Sequence, residues 1–171
     1  MKLRKEIEPD FQIVEKLYPE VLKLILAYSD YCEENEDEDN TEYQKLENTL
    51  HEMTGKDMSQ FNLWEWWEEE GAEVLAFRIS LPAPKIIQHI TKDELAEIVG
   101  RQKTFVMQDE DDKSLKAQFH YHLDDYFIDF LKLNFTTFDR SLFQRQKDKQ
   151  GNYVEYSQDD IIERLWNDGA R

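Results

Sequence analysis

The sequence is poor in cysteine and has no long apolar segment. Cys32 is the only cysteine among the 171 residues, which excludes an internal disulfide and a cysteine-based zinc site. No stretch approaches the roughly 20 apolar residues that a membrane-spanning helix needs. In the opening MKLRKEIEPDF, acidic residues stand where a secretory signal has its apolar run. These absences predict a cytoplasmic protein.

Glycine is also scarce, and the short glycine motifs of common enzymes are missing. The five glycines form neither a G-x-G-x-x-G loop nor a P-loop, which excludes the usual backbone site for nucleotide phosphates. No G-x-S-x-G elbow is present, and Cys32 has no basic neighbour in the sequence that would favour its thiolate. We therefore expect no cofactor, and the sequence favours a protein that is not an enzyme.

Basic residues are few relative to acidic ones. The chain has 21 Lys and Arg against 38 Asp and Glu, a formal net charge of -17. Such a charge disfavours binding to a nucleic acid backbone or to an anionic membrane. The excess is concentrated in residues 1–75, with 21 acidic and 7 basic residues, whereas residues 76–171 have 17 and 14. This distribution predicts a basic protein partner that binds the first half of the chain.

The apolar pattern predicts a single α+β domain over residues 1–171. Residues 1–70 are expected to be helical and acidic, with Pro19 kinking or dividing the first helix. Residues 72–156 are expected to be mainly strands with short connections. Helices followed by such strands are typical of N-terminal helices packed on a mostly antiparallel β-sheet.

The predicted strands rest on alternation of apolar and polar residues. This alternation is seen in residues 75–81 and 115–123, and residues 103–109 also favour a strand. Residues 126–135 fit both a strand and a helix, and their aromatic neighbours favour the strand. A hairpin is expected to turn near residues 150–152.

Two helices are predicted from their N-terminal caps. Thr91 and Glu94 have the spacing of a capping box, which predicts a helix between strands at residues 92–100. Ser157 is a favourable N-cap for a C-terminal helix at residues 158–167.

The segment FNLWEWWEEE, residues 61–70, contains three of the four tryptophans. If the segment is a helix, Trp64 and Trp67 fall on its apolar stripe and are expected in the core. Trp66 falls on the other side, between Glu69 and Glu70. A tryptophan ringed by carboxylates is typical of a hot spot for an Arg- or Lys-rich partner, and the alternative is a core position beneath a neighbouring loop.

A second acidic feature is EENEDEDN, residues 33–40, with six acids in eight positions, which predicts a solvated loop. Together these features suggest a protein that neutralises or inhibits a basic partner. Immunity proteins against nuclease toxins share this acidity and small size, and the comparison with them is a functional analogy. The predicted partner-binding residues are Glu33, Glu34, Glu36, Asp37, Glu38, Asp39, Glu65, Trp66, Glu69 and Glu70.

Two alternatives remain open at this point. On a strand, His120 and His122 would lie on one face, where Asp124 could join them as ligands of zinc or non-haem iron. The protein would then be a small metal-dependent protein or enzyme, although a third ligand is not fixed by the spacing. In the other alternative, the acidity serves solubility alone.

Overall fold

The computed structural model describes residues 2–104 and 111–166, apart from the side chains of Trp67 and Glu69. The chain divides into two compact units. We call Asp10–Ala83 the acidic unit, and Met1–Pro9 together with Pro84–Arg171 the terminal unit. The prediction of a single domain over residues 1–171 stays a prediction.

All the regular secondary structure described in the acidic unit is helical. Its helices are α1 (Phe11–Glu34), α2 (Thr41–Thr54), the short α3 (Trp66–Glu69) and α4 (Ala72–Ser80), with a 3-10 turn at Met58–Gln60. Helix α1 packs mainly on α4 and also on α2. The core between these helices consists of apolar side chains, including Val21, Ile25, Leu46, Leu50, Met58, Leu63, Leu75 and Ile79.

Helix α1 is continuous, so the prediction that Pro19 divides it is wrong. The helix begins after Asp10, whose carboxylate accepts a hydrogen bond from the Gln12 backbone N–H at 3.0 Å. Pro19 lies on the exposed side of the helix and removes one backbone donor. Val14, Val21 and Ile25 are fully buried on the opposite side, and their packing holds the helix together across the missing bond.

The terminal unit is also mainly helical. Its helices are α5 (Lys92–Lys103), α6 (Leu115–Gln118), α7 (Leu123–Asn134) and α8 (Gln158–Trp166). Helix α5 packs on α8 and on α7. The predicted helix at residues 92–100 is therefore confirmed and extends three residues further, and the helix predicted at residues 158–167 is confirmed as far as residue 166, the last described residue. The capping box is confirmed too, because the Thr91 hydroxyl accepts from the Glu94 N–H and the Glu94 carboxylate accepts from the Thr91 N–H.

The strands of the described residues are short. Strand β1 (Gln146–Lys147) pairs antiparallel with β2 (Tyr153–Val154), which confirms a hairpin turning near residues 150–152. Gly151 lies in this turn with φ of 86°, a conformation that glycine adopts without strain. No other strand occurs in the described part of the chain, so the predicted α+β fold with helices on a mostly antiparallel sheet is wrong.

The predicted strand at residues 75–81 is instead helix α4, and the alternation misled because the helix is buried on nearly every side. Leu75, Phe77 and Ile79 are buried as predicted, but Ala76 and Ser80 are equally buried. Ala76 is small enough for close helix packing. The Ser80 hydroxyl donates to the Ala76 carbonyl at 2.7 Å, which satisfies the polar group inside the core.

Two of the other predicted strands are also helical, and a third lies largely outside the described residues. Residues 115–123 form α6 and a 3-10 turn, because the Ser114 hydroxyl caps α6 by accepting from the Ala117 N–H at 3.2 Å. Residues 126–135 belong almost entirely to α7, whose buried positions follow the helical period. Of the strand predicted at residues 103–109, residues 105–109 lie outside the described part of the chain, and Lys103 is the last residue of α5. None of the described helices is long and apolar enough to cross a membrane.

Candidate functional site

The negative charge is concentrated in the acidic unit. Asp10–Ala83 hold 19 acidic and 5 basic residues, a formal net charge of -14, whereas the terminal unit holds 19 acidic and 16 basic residues. Two ion pairs are described in the acidic unit, Lys45 with Glu42 and Arg78 with Glu70. Lys56 and Arg78 both lie over the Phe61 ring, at 5.6 and 5.7 Å from its centroid. Three of the five basic side chains are thus held by contacts within the unit.

The predicted acidic loop is shorter than expected. Glu33 and Glu34 form the end of α1, and the turn to α2 contains Glu36, Asp37, Glu38 and Asp39. All of these side chains are exposed except Asp37, which is half-buried. Asp39 accepts a hydrogen bond from the Thr41 N–H at 3.1 Å. The segment therefore presents five exposed carboxylates next to the start of α2.

Asp37 stabilises the start of α2 through hydrogen bonds within the acidic unit. Its carboxylate accepts hydrogen bonds from the backbone N–H groups of Glu42 and Tyr43, at 3.2 and 2.9 Å, and from the Tyr28 hydroxyl at 3.2 Å. Burial alone would raise the pKa of Asp37, but these donors together lower it below the usual value. Asp37 therefore contributes a fixed negative charge at neutral pH.

Among the tryptophans of residues 61–70, Trp64 is more exposed than predicted, and Trp66 lies against the core, the alternative that the sequence left open for it. Trp64, expected in the core, is 38% exposed. Trp66, expected between carboxylates, is half-buried against the core of the acidic unit. Its indole N–H donates to the Ser29 hydroxyl at 3.0 Å. The side chain of Trp67, also predicted to be core, lies outside the described residues.

The exposure of Trp64 arises because residues 61–65 are not helical. The Asn62 side-chain oxygen accepts from the backbone N–H groups of Trp64 and Glu65, at 3.3 and 3.0 Å, and so forms a turn before α3. Angles around a continuous helix therefore do not describe this segment. An asparagine side chain readily accepts from N–H groups two and three residues further along the chain, so Asn62 is a local signal that could have indicated the turn.

The glutamates in and next to α3 differ in exposure and in whether they form an ion pair. Glu65 is exposed at its N-cap position. Glu70 pairs with Arg78 at 2.6 Å, and 14% of its side chain is exposed. The side chain of Glu69 lies outside the described residues. Of these three predicted partner-binding residues, Glu65 thus offers an exposed carboxylate and Glu70 is held within the unit.

The structure reveals a cleft in the acidic unit that the sequence did not indicate. It has a volume of about 510 Å³, and we call it the aromatic–acidic cleft; its lining residues are Tyr28, Asp37, Asn40, Tyr43, Gln44, Glu47 and Trp64. The Tyr28 ring meets the rings of Tyr43 and Trp64 edge to face, with both pairs of centroids 5.8 Å apart. Its aromatic residues come from α1, α2 and the turn before α3, so no local motif predicts it.

His120 and His122 lie in a 3-10 turn of the terminal unit instead of on a strand. The Nδ1 atom of His120 lies 2.9 Å from the Ala117 carbonyl oxygen, which orients the ring. Burial and the neighbouring Asp125 raise the pKa of Asp124, whose carboxylate accepts from the Gln102 amide at 3.3 Å. Among the described residues, no three His, Cys, Asp or Glu side chains are grouped to hold a metal ion. A metal-dependent activity therefore stays a prediction without a third ligand.

Comparison with known proteins adds no relative. No protein-family model, no curated protein and no solved structure matches this chain. Function must therefore be argued from the geometry and charge of the two units.

Proposed function

We propose that the acidic unit binds a basic protein partner and neutralises or inhibits it. The observation that supports this function is the charge of Asp10–Ala83, where 19 acidic residues face 5 basic ones. The terminal unit has similar numbers of acidic and basic residues, so general solubility would not require the excess to be confined to one unit. A cationic partner would be attracted to this unit in preference to the other.

Electrostatics and apolar contact would have separate roles in such a complex. The exposed carboxylates of residues 33–39 attract a cationic partner over a distance of about the Debye length, and this attraction raises the association rate. Residence time depends on contacts that exclude water, and aromatic residues commonly provide them. Trp64 is suited to provide such a contact, because it is 38% exposed and lines the aromatic–acidic cleft.

The proposed action is that of an immunity protein, which blocks a basic toxin or nuclease by covering its surface. This comparison is a functional analogy. The single cysteine fits a reducing compartment, and we propose the cytoplasm as the place of action. Catalysis is not part of the proposal.

The experiment that tests this function is capture of partners from a cell lysate by the immobilised protein. Binding is measured at low ionic strength, and elution with salt is followed by identification of the bound proteins. We expect a basic protein that is released by salt, because ion pairs between exposed groups are screened. Capture of no cationic protein at any ionic strength would contradict the function.

Matched variants separate specific binding from general charge. The first variant removes three charges from the exposed segment of the acidic unit: Glu33→Gln, Glu36→Gln and Glu38→Gln. The control removes three exposed charges from the terminal unit: Asp93→Asn, Asp129→Asn and Glu163→Gln. We expect the first variant to lose about tenfold in affinity, and the control to lose less than about twofold. Equal losses would show that the net charge of the whole chain is responsible.

A further inference from the structure

The aromatic–acidic cleft combines an exposed indole with carboxylates that line the same opening. Trp64 lies on one side, and the Asp37 and Glu47 side chains also line the cleft. The Tyr28 and Trp64 rings are inclined by 68° to each other, so the two rings form walls of different orientation. Such a recess favours a ligand with a flat cationic group.

The negative charge of the cleft comes from two carboxylates with different functions. Asp37 is fixed by the backbone N–H groups of Glu42 and Tyr43 and by the Tyr28 hydroxyl. These donors lower its pKa, so it stays ionised at neutral pH. Glu47 is half-buried on α2, and no hydrogen bond or ion pair is described for its carboxylate within the described residues. Glu47 therefore provides acceptor oxygens for a donor from outside.

The size of the cleft fits a side chain together with some backbone. A volume of about 510 Å³ lies within the range of small-ligand sites, which begins near 300 Å³. A single arginine side chain is smaller than that. The remaining space accommodates the flanking peptide of a protein ligand.

We infer that the cleft binds an arginine side chain of the basic partner, with its guanidinium stacked on Trp64 and donating hydrogen bonds to Glu47. This inference rests on the proposed function and identifies its recognition pocket. Arginine is favoured over lysine because its planar guanidinium is weakly hydrated, stacks on aromatic rings and presents several donors in a fixed fork. The charge of Asp37, close to the Tyr28 hydroxyl, adds attraction for the cation.

The test uses two fluorescein-labelled peptides that differ in one residue type. One alternates glycine with arginine, and the other has lysine at the same positions. Binding to the full chain is measured by fluorescence anisotropy at low ionic strength. We expect the arginine peptide to bind about fivefold to tenfold more tightly than the lysine peptide, because stacking adds to the charge attraction that both share.

Variants within the acidic unit locate the binding. Trp64→Ala is expected to lower the affinity for the arginine peptide about tenfold, and Glu47→Gln about threefold to tenfold. The matched controls are Tyr31→Ala, which removes another aromatic residue of similar exposure, and Glu52→Gln, which removes an exposed charge of α2 outside the cleft. Each control should change the affinity less than about twofold. Circular dichroism of every variant confirms that it is folded.

The outcomes distinguish this inference from the proposed function. If both peptides bind equally well, or if Trp64→Ala and Tyr31→Ala have the same effect, the arginine pocket is refuted while an acidic binding surface remains. If neither peptide binds the wild-type chain at low ionic strength, the arginine pocket is refuted, and the proposed function is then decided by capture of a whole basic protein.

Discussion

Trp64 and Trp66 stand two residues apart and have different environments. Trp66 packs on the core of the acidic unit and donates to the Ser29 hydroxyl, whereas Trp64 is 38% exposed. We expect Trp66→Ala to lower the free energy of unfolding by about 3 kcal/mol, since it leaves a cavity and removes the indole bond to the Ser29 hydroxyl, which keeps its bond to the Ile25 carbonyl. Trp64→Ala should lower it by about 1 kcal/mol. Urea unfolding followed by far-ultraviolet circular dichroism measures both, and equal losses would contradict these environments.

Glu94 of the terminal unit is a buried carboxylate that accepts hydrogen bonds from two residues. Arg4 donates to it from Nε at 2.5 Å, and the Thr91 backbone N–H donates at 2.8 Å. Burial alone would raise the pKa of Glu94, but the Arg4 and Thr91 donors together lower it. A lowered folded-state pKa gives stability that is present above the unfolded-state pKa and is lost as the pH falls through the folded-state pKa.

This arrangement predicts a pH-dependent effect of Glu94→Gln. At neutral pH the variant should lower the free energy of unfolding by about 1–2 kcal/mol, because a charge-assisted bond to Arg4 becomes a neutral one. The difference from wild type should shrink as the pH falls below the unfolded-state pKa of about 4.3 and through the lowered folded-state pKa of Glu94, where the wild-type carboxylate becomes protonated. Urea unfolding at both pH values measures it, with Glu163→Gln as an exposed control. A gap that is unchanged in acid would contradict the role of the charge.

At the residue scale, the sequence predicted features that depend on near neighbours. The capping box at Thr91 and Glu94 was predictable because its partners are three residues apart and its geometry is local. The aromatic–acidic cleft was not, because Tyr28, Tyr43 and Trp64 come from three separate segments. Their proximity is produced by the packing of α1 on its neighbours.

At the scale of elements, the sequence predicted the positions of the helices at residues 92–100 and 158–167, and it failed where a segment fits both the helical and the strand period. In α7, Tyr126, Phe127 and Phe130 are buried at helical spacing, yet the aromatic content of the segment favoured a strand. In α4, burial on nearly every side removed the polar face that marks a helix. Tertiary packing decided both elements, and a single sequence does not display it.

Helix α1 offers a test of how packing offsets an unfavourable residue. Pro19 lies well inside the helix and on its exposed side, where it lacks the N–H that would bond the Glu15 carbonyl. We expect Pro19→Ala to raise the free energy of unfolding by about 1–2 kcal/mol, because alanine restores the donor and removes the steric clash. Thermal unfolding measures the change. Glu20→Ala, an exposed neighbour, serves as the control, and a loss of stability in Pro19→Ala would contradict this explanation.

At the scale of the whole molecule, the two units differ in how their charges are balanced. The sequence predicted the imbalance in residues 1–75, and the structure assigns it to the unit Asp10–Ala83. Two ion pairs are described in this unit, whereas seven are described in the terminal unit. Repulsion between like charges should therefore act mainly on the acidic unit, and attraction between opposite charges mainly on the terminal unit.

Added salt should therefore affect the stability of the two units differently. Added sodium chloride screens the repulsion among carboxylates of the acidic unit, which favours its compact state, and also weakens the exposed ion pairs of the terminal unit. We expect hydrogen exchange of amides in α1 and α2 to slow as salt is raised, while exchange in α5 and α8 stays unchanged or quickens. Mass spectrometry of peptides from each helix measures this. Equal slowing of hydrogen exchange in both units would mean that the excess charge acts on the chain as a whole. It would contradict the interpretation of the acidic unit as a separate electrostatic surface.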